Sequence, residues 1–526
     1  MPSSYDVIVI GSGFGGAVTA CRLAEKGMRV LVLERGRKWD PKDYPRKPGD
    51  AWTWDQDEPE KQNGWIDFRF FNDMAVAQGA GVGGGSLIYA SIVIDAKPEV
   101  FNNGWPPEIT YPALKPYYDR VGKMMNVQTL PEGQLTERYK LMKEGAEKLG
   151  YGARFRPVGI ATTFNPDWNY TLEDPFNEKH SKQWTNPQGQ KQGTCIHCGN
   201  CDIGCAVRAK NTLDLNYLPW AERHGAEIRP LHFVRCITPE NGGYRIDYDR
   251  LENGRRIPGR VTANKVILSA GSLGSTELLL RCRDQYKTLP NLSSFLGRNW
   301  SSNGDFLTPA FYDQRRISPS QGPTITCAID FLDGSVDGQQ FFVEDGGFPD
   351  LLGNYLEANL STPPKNRKLR ILMEALAKVI RQRDPLGNVM PWFGQAIDAA
   401  DGRLYFGRAW PFFWRKKLKL DWEIDRSEGP VQALIDMHKR LSAATGGKEW
   451  VPPTWTVLKN LVTPHPLGGC NMGISSANGV VNHKGEVFGY PNLYVADGAI
   501  IPEAVGLNPS KTIAALSERI ADLIER

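Results

Sequence analysis

The period of hydrophobic positions changes twice within the first thirty-five residues of the chain. Val7 to Ile10 is an unbroken apolar run rich in β-branched residues, about Gly15 to Lys26 carries apolar residues at helical spacing, and Val30 to Leu33 is a second unbroken run. Strand, helix and strand in that order predict a βαβ unit with buried parallel strands. At the other end, Leu493 to Ala496 reads as a short strand, Asp497 and Gly498 as a turn, and the stretch from Pro509 as a closing helix with Ile513, Leu516, Ile520 and Ile524 on one face. Asn508 is the expected N-cap and Pro509 the first helical residue. Asn366 to Arg383 has the spacing of an amphipathic helix, and Tyr405 to Trp422 interleaves aromatics with Arg415, Lys416, Lys417 and Lys419. Both suit either an anionic bilayer surface or, more simply, a helix and hairpin of a globular domain.

Residues at the joints of the βαβ unit give it chemistry. Gly11 permits a tight turn after the first strand, Gly13 lets backbone approach a pyrophosphate, and Gly16 lets the helix pack on the strand. Glu34 ends the second strand, where a carboxylate accepts hydrogen bonds from ribose hydroxyls. The fingerprint alone does not choose between NAD and FAD. The closing helix has two readings: its positive end faces a reduced flavin ring, or it is a surface helix that ends the domain.

Composition narrows the class further. The 526 residues, 41% hydrophobic and 23% charged with 15 tryptophans, describe a globular chain of about two domains. Apolar runs all fall short of the roughly 18 residues of a membrane span. A net charge of +4 gives no case for a nucleic-acid partner. The chain enters the βαβ unit directly, without a signal-peptide pattern, so the expected location is cytoplasmic, with a peripheral membrane contact as the variant. Cysteines are then expected reduced, and the Asn-x-Ser/Thr sequons at Asn169, Asn291, Asn299 and Asn359 carry no information on glycosylation.

Five stretches together resemble the glucose-methanol-choline family of FAD-dependent oxidoreductases. They are the N-terminal fingerprint, "GAGVGGGSLIYAS" (79–91), "VILSAGSLGSTELLLR" (266–281), "LGRNWSSNGD" (296–305), and "TPHPLGGCNMG" (463–473) with the C-terminal "NLYVADGAIIPEAVGLNPSKTIAALSERI". Within the family the pattern is most similar to cholesterol oxidase-like and long-chain or sterol alcohol dehydrogenases. The resemblance implies an α/β fold in which a Rossmann-like FAD-binding domain (1–95, 195–305 and 455–526) is interleaved with an α+β substrate domain (96–194 and 306–454). It implies that Gly11, Gly13, Gly16 and Glu34 hold the ADP half of FAD, that Gly84, Gly85 and Ser86 line the flavin and phosphates, that Val234 meets the adenine through its backbone, and that Asp497 faces the ribityl chain. Tyr89 stands where many relatives have Asn, so hydrogen bonding around the flavin N5 is expected to differ.

The activity implied is oxidation of a hydrophobic alcohol, with His465 as a neutral imidazole base between two prolines and Asn508 binding the substrate oxygen. O2, a quinone or an electron-acceptor protein would take the electrons. Sterol oxidases that also isomerise use a Glu upstream of the histidine; the comparable stretch here, 385–398, places Asn388 there, which predicts oxidation without isomerisation. A light-driven fatty acid decarboxylase-type lyase and a non-catalytic flavin or electron-transfer module are the alternatives.

Cys195, Cys198, Cys201 and Cys205 have the C-x2-C-x2-C-x3-C spacing of bacterial ferredoxins, with Ala206 in place of the usual proline. Three readings stay open: an iron–sulfur cluster relaying electrons from the flavin, a zinc site, or a metal-free turn whose thiols are buried as small hydrophobes. Cys21, Cys236, Cys282, Cys327 and Cys470 read as core.

Overall fold

The computed structural model describes residues 5–351, 353–355, 384, 386–408, 416–456 and 459–526. The apolar runs at the start of the chain become adjacent parallel strands, Tyr5–Ile10 and Val30–Leu33, with Val7 opposite Val30 and Ile10 opposite Leu33. Helix Phe14–Glu25 joins them and buries Val18, Cys21 and Leu23. Outside them lie Glu227–Arg229 on one flank and the C-terminal half of Arg255–Leu268 on the other, followed by Leu493–Val495, all parallel. The N-terminal half of Arg255–Leu268 pairs antiparallel with Gly243–Glu252, which pairs with His232–Glu240. The result is a seven-stranded sheet assembled from three distant parts of the chain. Its parallel strands are covered on both faces, which explains their unalternated hydrophobicity.

A six-stranded antiparallel sheet runs in the order Lys448–Glu449, Phe306–Phe311, Val389–Ala396, Gln339–Asp345, Cys327–Val336 and Phe155–Pro157. Helix Glu428–Thr445 lays Val431, Leu434, Ile435, Met437 and Leu441 on it, and Ser442 Oγ accepts a 2.8 Å bond from the Trp392 indole. A three-stranded sheet pairs Leu461–Thr463 with Met74–Gly79, and that with Ile66–Phe70. It delivers the chain to His465.

One buried cation secures the six-stranded sheet. Arg138, with no exposed surface, donates to the carbonyls of Pro323 (2.7 Å), Thr324 (3.0 Å), Asp345 and Gly346 (3.0 Å), and lies 3.3 Å from the Asp345 carboxylate. Burial pushes the Asp345 carboxyl up, against the pull of Arg138. Arg138→Met leaves that acid without its counter-charge, held only by Thr326 and the Cys327 amide, and takes the donor from those carbonyls, so urea unfolding should show a loss of about 3–5 kcal/mol.

Of the two stretches with membrane-like composition, Asn366 to Arg383 lies outside the described residues. Tyr405 to Trp422 is described at its flanks, where Arg403–Arg408 and Lys416–Asp421 form an antiparallel hairpin and Lys417 pairs with Asp57 at 2.5 Å. Among the described residues, no helix is long and apolar enough to cross a membrane.

Candidate active site

The C-terminal ends of the central strands open onto one cavity of about 510 Å³. After Ile10 comes Gly11, after Leu33 comes Glu34, after Leu268 come Ser269 and Ala270, and Asp497 follows Val495 by two residues; all line it. This is where open α/β sheets hold their ligands. Three helices also begin there: Phe14–Glu25, Gly271–Asp284 and Ser510–Leu523. No N-cap side chain bonds any of them and none has an acidic residue in its first turn; the Gly271 amide donates to Asp497 at 2.9 Å, whereas Phe14–Glu25 and Ser510–Leu523 keep their positive ends available to an anion.

The predicted glycines divide into two kinds. Gly11, with φ +96°, and Gly16 are packing positions, since a Cβ would come 2.4 Å from the Ser269 carbonyl oxygen and 2.0 Å from that of Gly11 respectively. Gly84 has φ +52° and abuts Gly13, where a Cβ on Gly84 would lie 2.6 Å from the Gly13 Cα. Gly85 is different: a Cβ there meets nothing within 4 Å, so its bare backbone faces cavity. A wall of this kind fits a flat ring and pyrophosphate laid against main chain. Gly85→Leu should therefore leave far-UV circular dichroism unchanged while the purified protein loses its flavin absorbance.

Glu34, 4% exposed, receives Ser12 N (3.0 Å) and Oγ (2.7 Å) on one oxygen and Gly36 N (2.8 Å) on the other, while still lining the cavity. Burial raises its carboxyl despite these bonds. Asp497 accepts from Gly271 N (2.9 Å), Ser275 Oγ (2.6 Å) and Ala499 N (2.8 Å), and burial brings it to about 6 against those donors. Val234 lines the cavity from strand His232–Glu240, where it pairs with Tyr248. Tyr89 lines it with its ring, packed edge-on to Phe14 at 5.4 Å, because its hydroxyl donates to the Asn211 carbonyl at 2.7 Å. Ser86 corrects the expectation: it is off the cavity wall, bonding Gly83 O (2.7 Å) and Leu213 N (3.1 Å), so it shapes the loop.

The same cavity is lined by His465, Asn508 and Phe393. His465 Nδ1 is 2.8 Å from Asp305 Oδ1, and Asp305 Oδ2 accepts the Thr463 hydroxyl at 2.5 Å. Burial lowers the imidazole pKa, but the Asp305 charge and hydrogen bond and the Glu344 charge outweigh it, and the net shift is upward. The neutral imidazole expected from sequence is thus reached only above histidine's ordinary range. Asn508 also departs from expectation. Pro509 occupies the N-cap position, the helix begins at Ser510, and no side chain caps it. The Asn508 amide points instead at Glu344 Oε2, 3.5 Å away, and its Oδ1 has no protein partner.

Glu344 was not anticipated from the sequence. It sits near the end of strand Gln339–Asp345, opposite Phe393, with no exposed surface. Gln395, on the neighbouring strand, donates to its Oε2 at 2.9 Å; its Oε1 is unpartnered. Burial lifts its pKa to about 7, against the lowering effects of Gln395, His465 and Asn508. Asn388, placed here by sequence position, is instead an exposed residue just before strand Val389–Ala396. The signal available in the sequence was an acid pair, Glu344 and Asp345, closing the apolar run "FFV".

The cysteine run folds as a compact loop beside the site. Cys195 Sγ accepts from His197 N at 3.4 Å and Cys205 Sγ from Ala209 N at 3.2 Å. Lys210, 2% exposed, donates to the carbonyls of Cys201 (2.6 Å), Leu87 (2.8 Å) and Tyr89 (3.2 Å), which ties the loop to the 79–91 segment. Among the described residues, no three His, Cys, Asp or Glu side chains converge on a metal position, and none of the four thiols is in a disulfide. The iron–sulfur and zinc readings are therefore not supported: ferredoxin spacing is present, but the thiols are not gathered into a cage.

Residues 422–517 match the C-terminal GMC oxidoreductase model and residues 9–39 the NAD(P)-binding Rossmann-like domain model. The cholesterol oxidase of Acinetobacter baumannii is 30% identical over 541 residues, covering 99% of this chain and 94% of that one. The chain belongs to the GMC oxidoreductase family. A cholesterol oxidase of Mycobacterium tuberculosis is also 30% identical, covering 99% of this chain and 91% of its own. Pyridoxine 4-oxidase from Mesorbium loti shares the fold at TM-score 0.63 and 15% identity, covering 98% of each chain. As a GMC oxidoreductase the protein is an FAD-dependent enzyme acting on alcohols.

Proposed function

We propose that this enzyme oxidises a hydrophobic, sterol-like or long-chain alcohol, with His465 taking the hydroxyl proton. The observation that carries the reading is the continuity of one cavity from the dinucleotide turn at Gly11 to His465, Asn508 and the apolar Phe393, Ile325 and Leu307. Gly11, Gly13, Glu34, Gly84, Gly85, Val234 and Asp497 would hold FAD, with Gly16 letting the helix pack behind them, within a domain formed by 1–95, 195–305 and 455–526; the composition of the seven-stranded sheet supports that division. Bound FAD supplies the hydride acceptor.

The chain's own part is the proton and the orientation of the alcohol. With Nδ1 facing Asp305, the other imidazole nitrogen is the one left to accept a proton. The Asn508 amide, held only by a 3.5 Å contact, is free to turn its donor to the substrate oxygen. Phe393 and the two prolines beside His465 line the cavity next to it and give that end an apolar wall. Dioxygen is the proposed terminal acceptor, in keeping with relatives named as oxidases. The lyase and electron-module alternatives find no counterpart among those relatives.

Glu344 adds a second reading, which replaces the expectation based on Asn388. A carboxyl that titrates near 7 and meets the Asn508 amide at 3.5 Å, just behind the cavity wall, suits moving a proton from C4 to C6 of a Δ5-3-ketone. Anaerobic mixing with cholesterol and with a long-chain primary alcohol tests the oxidation. Bleaching of the flavin by at least one is expected. If neither bleaches it, the substrate class is wrong, and product formed from a fatty acid only under blue light would turn the reading to the lyase.

A further inference from the structure

The segment Ser301 to Asp305 touches His465 and the backbone that leads into Asn508. Ser301 exchanges backbone hydrogen bonds with Leu467, 3.0 Å each way, so the segment runs alongside the His465 loop. Asn303 turns it with φ 57° and accepts the Val505 and Gly506 amides at 3.0 and 2.9 Å while donating to the Leu507 carbonyl at 2.9 Å. The backbone that enters Asn508 is thereby fixed. Two residues further on, Asp305 is 1% exposed, with one oxygen on His465 Nδ1 at 2.8 Å and the other on the Thr463 hydroxyl at 2.5 Å. Thr463 Oγ1 also accepts the His465 backbone N–H at 2.8 Å. The ring is therefore held at its own nitrogen and through its main chain by one Thr–Asp pair.

We infer that Asp305 is a positioning residue for the proposed base: it accepts a hydrogen bond from the Nδ1–H, leaves the Nε2 lone pair for the substrate, and makes that nitrogen the stronger acceptor. The inference rests on the reading of His465 as the base. A neutral imidazole carries one N–H, and in the tautomer with that proton on Nε2 it cannot accept from an alcohol. A carboxylate at Nδ1 selects the other tautomer. When the substrate hydroxyl gives its proton to Nε2, the carbon gives its hydride to FAD and a carbonyl is left. The imidazolium keeps its Nδ1–H on the Asp305 oxygen. The charged groups acting on His465 are Asp305 and Glu344; Thr463, Phe393 and Asn508 are its uncharged neighbours.

Asp305→Asn keeps the shape and removes the charge. In the holoenzyme, the acid limb of the pH profile for flavin reduction should move to lower pH, and the plateau rate should fall by about 10²-fold or more. A limb that stays at the parent position overturns the inference, whatever happens to the rate. Should the variant fail to retain flavin, the ¹⁵N spectrum of His465 in the parent holoenzyme decides. A protonated Nδ1 with bare Nε2 above the limb supports the inference, and the reverse tautomer overturns it. A His465→Ala variant that reduces flavin at the parent rate removes the base reading itself, and with it this inference. An inactive His465→Ala beside an unmoved Asp305→Asn limb removes the inference alone.

Discussion

His465→Ala is expected to purify yellow and folded, yet to reduce its flavin with alcohol about 10²–10⁴-fold more slowly than the parent. The flavin should remain because the cofactor-facing wall is main chain at Gly85 and the turns around Gly13, none of which depends on the imidazole. The rate should fall because, at this end of the cavity, His465 is the group whose geometry suits proton acceptance: Asp305 stands at Nδ1, and the Asn508 amide cannot take a proton. The pH dependence follows from the direction of the imidazole shift. Its pKa is raised by Asp305 and Glu344 over the opposing effect of burial, so the proton is held to higher pH than in a free histidine. Flavin reduction in the parent should therefore rise with pH through a limb above histidine's ordinary range, and the limb should vanish in His465→Ala. Stopped-flow reduction across pH measures both. Parent-like rates in the variant would end the proposal.

What was legible in the sequence follows local physics. The parallel strands announce themselves as unalternated apolar runs because both faces are covered, and Gly11 and Gly16 announce themselves because no side chain fits where they sit. His465 and Asn508, 43 residues apart in the chain, line one cavity. The misreadings share a cause, which is that spacing along a chain does not report direction in space. Asn508 has the composition of an N-cap, yet the chain enters the last helix so that its amide faces Glu344. The cysteine run has ferredoxin spacing, yet its loop is pinned by Lys210. Asp305 stood inside a quoted stretch with no role, because its partners Thr463 and His465 lie about 160 residues away and pairing across that distance leaves no periodic mark. Glu344 belongs to an antiparallel strand paired through Phe393 and Gln395, so matching the stretch 385–398 reached Asn388, just before the neighbouring strand, instead.

Glu344→Gln should separate the two proton transfers. Glutamine keeps the bulk and the capacity to bond Gln395 and Asn508 but cannot carry a proton, so a Δ5-3β-hydroxysteroid should be turned over to the Δ5-3-ketone, which then accumulates. The isomerisation step is expected to fall by about 10²–10⁴-fold while flavin reduction falls far less. In the parent, proton abstraction needs the carboxylate, which burial makes available only above about pH 7, so conversion to the conjugated ketone should rise through that value. Ultraviolet absorbance of the conjugated product, followed beside peroxide release, distinguishes the steps. The same shift has a consequence for stability with a defined sign. An acid whose folded pKa exceeds its unfolded one loses stability as pH rises between the two, so the parent holoenzyme carries that penalty in full above pH 7 and not at pH 4.5 or below. The glutamine variant should melt higher than the parent at pH 8 and level with it at pH 4.5. An unaltered Δ5-to-Δ4 conversion in the variant would show that the buried carboxyl is not the proton carrier.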